Sequence, residues 1–169
     1  MKKRVLKGMV MLGVLGLGAL FFSACARTTL SDTVVVSVVI KAPVERVFSY
    51  VNDLKNLPEY APAWTFSNVE GSGLGSTFDW TLAAGGKTIR GSALTVDFVP
   101  NQRVVNISSG DVQGTETYLY LPVPEGTKLI YALAYSIEVP IFTKRVAAKA
   151  IRENTESDLK RLKAVLEKK

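Results

Sequence analysis

Apolar and polar residues repeat along this chain with two different periods, and the changes of period set out its elements. Thr33 to Lys41, TVVVSVVIK, is almost entirely β-branched, which favours a first strand over a helix. Pro43 then stands where a helix can begin, with Ala42 before it held extended. Val44, Val47, Phe48 and Val51 follow at helical spacing, and Asp53 to Tyr60 reads as a second, weaker helical turn near Pro58 and Pro62. From Ala63 the period becomes two. The run GSGLGS at 71–76 is a turn; Thr77 to Ala83 is a strand with Phe78, Trp80 and Leu82 on one face; Gly85-Gly86 marks a hairpin. Lys87 to Val99 is a long strand with Leu94, Val96 and Phe98 on one face, and Arg103 to Ser109 and Thr115 to Val123 are two more. In the last strand, Thr127 to Val139, every second residue from Thr127 through Leu129, Tyr131, Leu133, Tyr135 and Ile137 shares a face. Pro140 ends it, and Ile141 to Glu167 is a long amphipathic helix free of Gly and Pro.

One strand, a helical excursion, six further antiparallel strands and a long final helix predict an α+β domain. One helix does not cover a flat sheet of that width. The sheet must curl around it, and a curled sheet over one helix commonly leaves a cavity.

The N-terminal 24 residues follow neither pattern. Lys2, Lys3, Arg4 and Lys7 form a basic head, and Gly8 to Phe22 is an apolar run too short for a membrane-spanning helix of about 20 residues. Ser23 and Ala24 then precede Cys25, the single cysteine of the chain. The arrangement is that of a secretory signal, and it resembles the bacterial lipobox, with Phe22 where the pattern prefers Leu. That resemblance implies cleavage before Cys25 and a diacylglycerol on its sulfur, usually with an N-acyl chain. The alternative is an uncleaved N-terminal anchor. The predicted organisation is a signal peptide over 1–24, a lipidated Cys25 with a polar spacer over 25–32, and one domain over 33–169. The implied location is outside the cytoplasm, on the outer membrane or the outer face of the cytoplasmic membrane.

The leader also changes the meaning of the charge. The whole chain has 21 basic and 15 acidic residues; without the four basic residues of the head, 17 basic and 15 acidic remain, a net charge of +2. The basic residues are scattered, with no basic stripe and interleaved aromatics, which argues against a nucleic-acid partner. There is no histidine, and the one cysteine lies at the leader boundary. A Cys/His metal site, an intrachain disulfide, a His base and a Cys nucleophile are therefore excluded by composition, and no cofactor is implied.

Residues 38–62, VVIKAPVERVFSYVNDLKNLPEYAP, resemble the opening of the SRPBCC superfamily, the START-like, helix-grip group that includes polyketide cyclase-like proteins. The matching residues are Ile40, Ala42, Pro43, Glu45, Val47, Phe48, Asn52 and Asp53, with Pro58 and Trp64 placed as in that group. The GSGLGS turn before Phe78 and Trp80, the Phe98-Val99-Pro100 strand end and Gly126-Thr127 fit as well, so the resemblance spans about residues 33–167. It implies a helix-grip fold: a seven-stranded curved antiparallel sheet wrapped on the C-terminal helix, two short helices after the first strand, and a hydrophobic cavity for lipids, sterols, polyketides or other apolar ligands. It leaves function open, because the group includes enzymes, carriers and regulators.

The candidate ligand-binding residues are Phe78, Trp80, Arg90, Leu94, Phe98, Leu119, Tyr131, Leu133 and Tyr135. Tyrosines on an inner face offer apolar area and a polar tip that orients a ligand; ordinary core packing is the competing explanation. Arg90 shares a face with Leu94 only if the strand has no bulge, and would then suit an anionic headgroup. Helix termination accounts for Asn52 and Asp53, and no spacing supports Asp79 and Glu116 as a catalytic carboxylate pair. The expectation is a membrane-tethered, monomeric, extracytoplasmic protein that binds a lipid or other hydrophobic small molecule, a binding module rather than an enzyme. The alternatives are a cyclase/dehydratase-type enzyme on an apolar substrate, or a structural envelope protein with a filled core.

Overall fold

The computed structural model describes residues 27–84, 86–140 and 143–168. The leader and Cys25 lie outside the described residues. Seven strands form one antiparallel sheet: β1 (Arg27–Ile40), β2 (Trp64–Glu70), β3 (Thr77–Ala84), β4 (Lys87–Val99), β5 (Arg103–Gly110), β6 (Val112–Val123) and β7 (Gly126–Pro140). Their order across the sheet is β1-β7-β6-β5-β4-β3-β2. Between β1 and β2 the chain makes α1 (Val44–Asn52), a 3-10 turn (Leu54–Asn56) and the short α2 (Leu57–Tyr60); α3 (Lys144–Lys168) closes the chain. This is the α+β helix-grip layout expected from the sequence.

Each strand turns alternate residues toward α3. On β7 these are Leu129, Tyr131, Leu133, Tyr135, Ile137 and Val139, as the period of two implies; their partners on β6 are Tyr120, Tyr118, Glu116, Gly114 and Val112. The C-terminal half of α3 supplies the central packing. Leu159, Leu162 and Leu166 are buried with Ile40, Val47, Phe48, Val51, Tyr120 and Leu129. The N-terminal half lays Ala147, Ala148 and Ile151 on Leu30, Val34, Tyr135 and Val139. A third group, Phe78, Trp80 and Ala93, packs with Trp64 and Phe66 at the far side of the sheet.

Three details differ from the sequence reading. The first strand begins at Arg27, so the polar residues 27–32, expected as a spacer, belong to the sheet. They are drawn in because β7 runs on to Pro140 and offers backbone partners as far as Arg27. Leu30 is buried there, and Thr29 Oγ1 donates to Glu138 Oε1 at 2.7 Å. Strand β6 likewise starts at Val112, leaving only Asp111 between β5 and β6.

The third difference matters most. Strand β4 carries a bulge: Thr95 pairs with Asn106 and Asp97 with Val105, so Val96 is an extra residue that reverses the facing of the strand. Leu94, Val96 and Phe98 therefore do not share a face. Before the bulge, Ala93 and Thr95 are buried and Leu94 is 43% exposed; after it, Phe98 points in and meets Phe48 edge-on at 5.3 Å. Gly91 is fixed by the same geometry. A Cβ there would stand 2.3 Å from Cζ2 of Trp80, so the indole lies directly over the glycine.

Leu162 is 1% exposed at the centre of the α3 packing, whereas Val146 on the outer side of the same helix is 69% exposed. Leu162→Ala is expected to lower the free energy of unfolding by about 2–5 kcal/mol, and Val146→Ala to stay within about 0.5 kcal/mol of wild type. Denaturant titration of both variants checks this, and equal effects would contradict the packing described.

Candidate functional site

The inner faces of β5 and β6 carry polar side chains beside the apolar packing. Asn106 sits on β5; Glu116 and Tyr118 alternate with Tyr120 on β6; Tyr131 comes from β7 and Thr95 from β4 just before its bulge. Tyr131 donates its hydroxyl hydrogen to Glu116 Oε1 at 2.7 Å, and Asn106 Nδ2 donates to Oε2 at 3.2 Å. Tyr118 also hydrogen-bonds the carboxyl, and its ring meets that of Tyr131 edge-on at 5.0 Å. Behind Asn106, Thr95 Oγ1 donates to Asn106 Oδ1 at 3.0 Å, and Ser76 Oγ lies 3.0 Å from Thr95 Oγ1. The chain of bonds fixes which way the Asn106 amide points.

Burial dominates the electrostatics. Desolvation raises the Glu116 pKa above the ordinary carboxylate value, and the hydrogen bonds from Tyr131, Asn106 and Tyr118 only partly oppose it. Burial likewise drives the hydroxyls of Tyr118 and Tyr131 well above their usual range. A second carboxyl, Asp158, faces the same region from α3. Its pKa is raised by burial, against the opposing Arg161 and the Trp64 indole N–H. Arg161 is itself held to α2 by its Nε–H, which donates to Tyr60 O at 2.8 Å. The concave face thus offers a carboxyl that holds its proton more tightly than usual, ringed by phenols and an amide.

Two further donors bear on the site. Trp80 Nε1 and Tyr135 OH are enclosed without a hydrogen-bond partner in this structure, and each residue is only 4% exposed. A buried donor left unpaired costs about 1–3 kcal/mol, so each calls for an acceptor. Between β1 and α3 a groove of about 400 Å³ is lined by Val35, Val36, Ser37, Val38, Glu156, Leu159 and Lys160. A larger depression of about 540 Å³ lies mainly over the outward-facing Ile107, Thr115, Ala134 and Ser136. It opens broadly to solvent, and small hydroxyl residues, Ser31, Ser108, Ser109 and Ser136, make up much of its lining. No group of residues able to hold a metal ion occurs among the described residues.

Of the residues expected to bind a ligand, Phe78, Trp80, Phe98, Tyr131, Leu133 and Tyr135 do face the interior. Arg90, Leu94 and Leu119 do not. The bulge at Val96 turns Arg90 and Leu94 outward, and Leu119 pairs with Arg103 and Ile130 on the outer face. Asp79 is also outward, bound by Asn68 at 2.7 Å and Ser92 at 2.8 Å, so no carboxylate pair forms with Glu116. Asn52 and Asp53 have the helix-ending roles expected, Asn52 through Phe48 O and Asp53 through Lys55 N. The sequence reading missed Thr95, Asn106 and the inward position of Glu116. The available signal was that Glu116 has the same parity as Tyr118 and Tyr120, in register with the inner residues of β7.

Residues 31–167 match the family described as polyketide cyclase/dehydrase and lipid transport. No curated protein matches the chain. Among solved structures, an uncharacterised protein of Rhizobium leguminosarum superposes with a TM-score of 0.69 at 20% identity, covering 85% of this chain and 99% of that one. A Thermus thermophilus protein gives 0.68 at 29% identity, covering 79% and 95%. A Staphylococcus aureus protein of unknown function gives 0.64 at 15% identity, covering 83% and 96%.

The raised carboxyl predicts how stability varies with pH. A carboxyl whose folded pKa lies above its unfolded value, near 4.5, contributes its stabilisation fully below that value and loses it as pH rises through the folded pKa. Glu116→Gln removes this component. The melting temperature of wild type relative to the variant is expected to fall steadily as pH rises from about 4.5, and parallel melting profiles would rule out the raised pKa.

Proposed function

The chain belongs to the polyketide cyclase/dehydrase and lipid transport family, and from that premise we propose that it is a binding protein for a lipid or other hydrophobic small molecule with one polar end. The observation that carries this reading is a polar cluster set into an aromatic interior. Glu116 is bonded by Tyr131, Asn106 and Tyr118, the rings of Tyr118 and Tyr131 belong to the apolar packing around it, and the Trp80 and Tyr135 donors are enclosed without an acceptor. An apolar body fits against the aromatic walls. A hydroxyl or carbonyl on the ligand would pair with the polar groups at low cost, because they are already held in place.

The tether is part of the proposal. The leader and Cys25 support export and acylation, which would place the binding domain at a membrane outside the cytoplasm. A ligand that partitions into bilayers would then be captured where it is concentrated.

One observation favours a second reading. A carboxyl whose hold on its proton is strengthened by burial can donate that proton to a ligand oxygen, as acid-assisted loss of water from an apolar substrate requires. Glu116 is that group, with Tyr131 positioning it. Unlike a binding role, this reading requires product formation that Glu116→Gln abolishes.

Native mass spectrometry of the purified chain is expected to show a stoichiometric apolar adduct. An anilinonaphthalene dye is expected to brighten on binding, and Tyr131→Phe to weaken the dye-displacing affinity of the extracted adduct by about three- to ten-fold, the effect of one lost hydrogen bond. An adduct-free protein that leaves the dye dark would overturn the binding proposal.

A further inference from the structure

The N-terminal half of α3 places four basic residues, Lys144, Arg145, Lys149 and Arg152, among its first nine positions, with no acidic residue between them. All four are exposed. The helix is fixed here because Ala147, Ala148 and Ile151 pack on β1 and β7, which leaves Arg145, Val146 and Lys149 turned away from the sheet. Cations here face the positive end of the helix dipole, so the arrangement costs stability unless an anion covers it. Within the patch, Lys149 pairs with Glu153 at 3.6 Å, and the exposed Val146 stands among the cations. The acidic residues at this end of the sheet are engaged in local bonds: Glu138 with Thr29, Asp111 with Arg90 N, and Asp32 with Thr33 N.

The start of the fold lies at the same end. Arg27 pairs with Pro140, whose carbonyl receives the Thr143 hydroxyl at the approach to α3. Only Ala26 separates Arg27 from Cys25 in the sequence. Resting on the proposed acylation of Cys25, we infer that this end of the domain is a membrane-docking face, with the 144–152 side of α3 seated on the anionic phospholipid headgroups around the anchor. The strand's early start carries the inference. With residues 27–32 in the sheet there is no spacer to hold the domain away from the bilayer. The acyl chains supply the anchoring, and the cations select an orientation, which salt weakens.

The test uses the acylated chain purified from membranes, its intact mass reporting the anchor. Val146→Cys carries a fluorophore at the patch, and Lys168→Cys carries it at the far end of the helix as a control. Both are reconstituted into phosphatidylcholine vesicles with or without phosphatidylglycerol. Aqueous iodide is expected to quench the label at position 146 about five-fold less on the phosphatidylglycerol vesicles, while the label at 168 is quenched equally on both. Combining Lys144→Glu, Arg145→Glu and Lys149→Glu, all exposed, removes the protection without lowering the melting temperature. A mass without acyl groups overturns the anchor and the docking with it. An acylated chain quenched equally on both vesicles overturns the docking face alone. Protection that follows protein density rather than lipid charge indicates a second copy of the chain and also overturns it.

Discussion

The long helix α3 is too narrow to oppose seven strands, and α1 and α2 share the concave face with it. A helix is about 10 Å wide with its side chains, and seven strands at about 4.8 Å spacing extend some 30 Å. Curling the sheet narrows the mismatch without removing it. The result is visible in the packing: the Leu159, Leu162 and Leu166 half of α3 makes a tight core with α1, while Phe78 and Trp80 form their own group against Trp64 and Phe66. Between them the sheet floor is Asn106, Ser108, Gly114 and Glu116, small or polar residues that do not fill space. The middle of the floor is therefore polar, and it lies beside the aromatic packing of Tyr118, Tyr120 and Tyr131.

A carboxyl in that place is costly. Its charged form is disfavoured by burial more than the bonds from Tyr131, Asn106 and Tyr118 favour it. Apolar residues of similar size would make a more stable sheet, since partly compensated buried polar groups weaken a core. The bond chain from Ser76 through Thr95 and Asn106 to Glu116 crosses three strands, and it depends on the β4 bulge to turn Thr95 inward. A bulge placed to complete a polar chain, together with two enclosed donors that lack acceptors, is the pattern of a binding interior rather than of a packed one.

Most of the fold was legible in the sequence because it rests on periodicity. The seven strands, the short helices and α3 follow from alternation, turn residues and the Pro43 and Pro140 boundaries. The site was legible only in part. On β7, where alternation runs unbroken, Tyr131, Leu133 and Tyr135 were assigned to the correct face. On β4, a single extra residue at Val96 inverted the assignment of Arg90 and Leu94, and no composition signal marks a bulge flanked by ordinary strand residues. Leu119 was assigned to the wrong face for a simpler reason: apolar residues occupy both faces of β6, so hydrophobicity alone does not tell them apart. Glu116 shows the opposite case, in which parity marked it as inward while its charge suggested solvent.

The attachment of α3 to the sheet shows where the interior can be reached. Near its C-terminus the helix is pinned to β1 by the Lys163 ammonium, which donates to Val39 O at 2.6 Å, and by Glu167, which accepts from Lys41 N at 2.9 Å. Near its N-terminus it is held by the packing of Ala147, Ala148 and Ile151. Between these attachments lies the groove along Val35 to Val38, where Glu156, Leu159 and Lys160 face an edge strand. Moving the helix off the strand at that point breaks none of the hydrogen bonds that hold its ends. It uncovers Val36, which pairs in register with Tyr131, the residue that holds Glu116. The route from the edge of the sheet to the polar cluster is therefore one side chain deep, with the core residue Leu159 standing beside it.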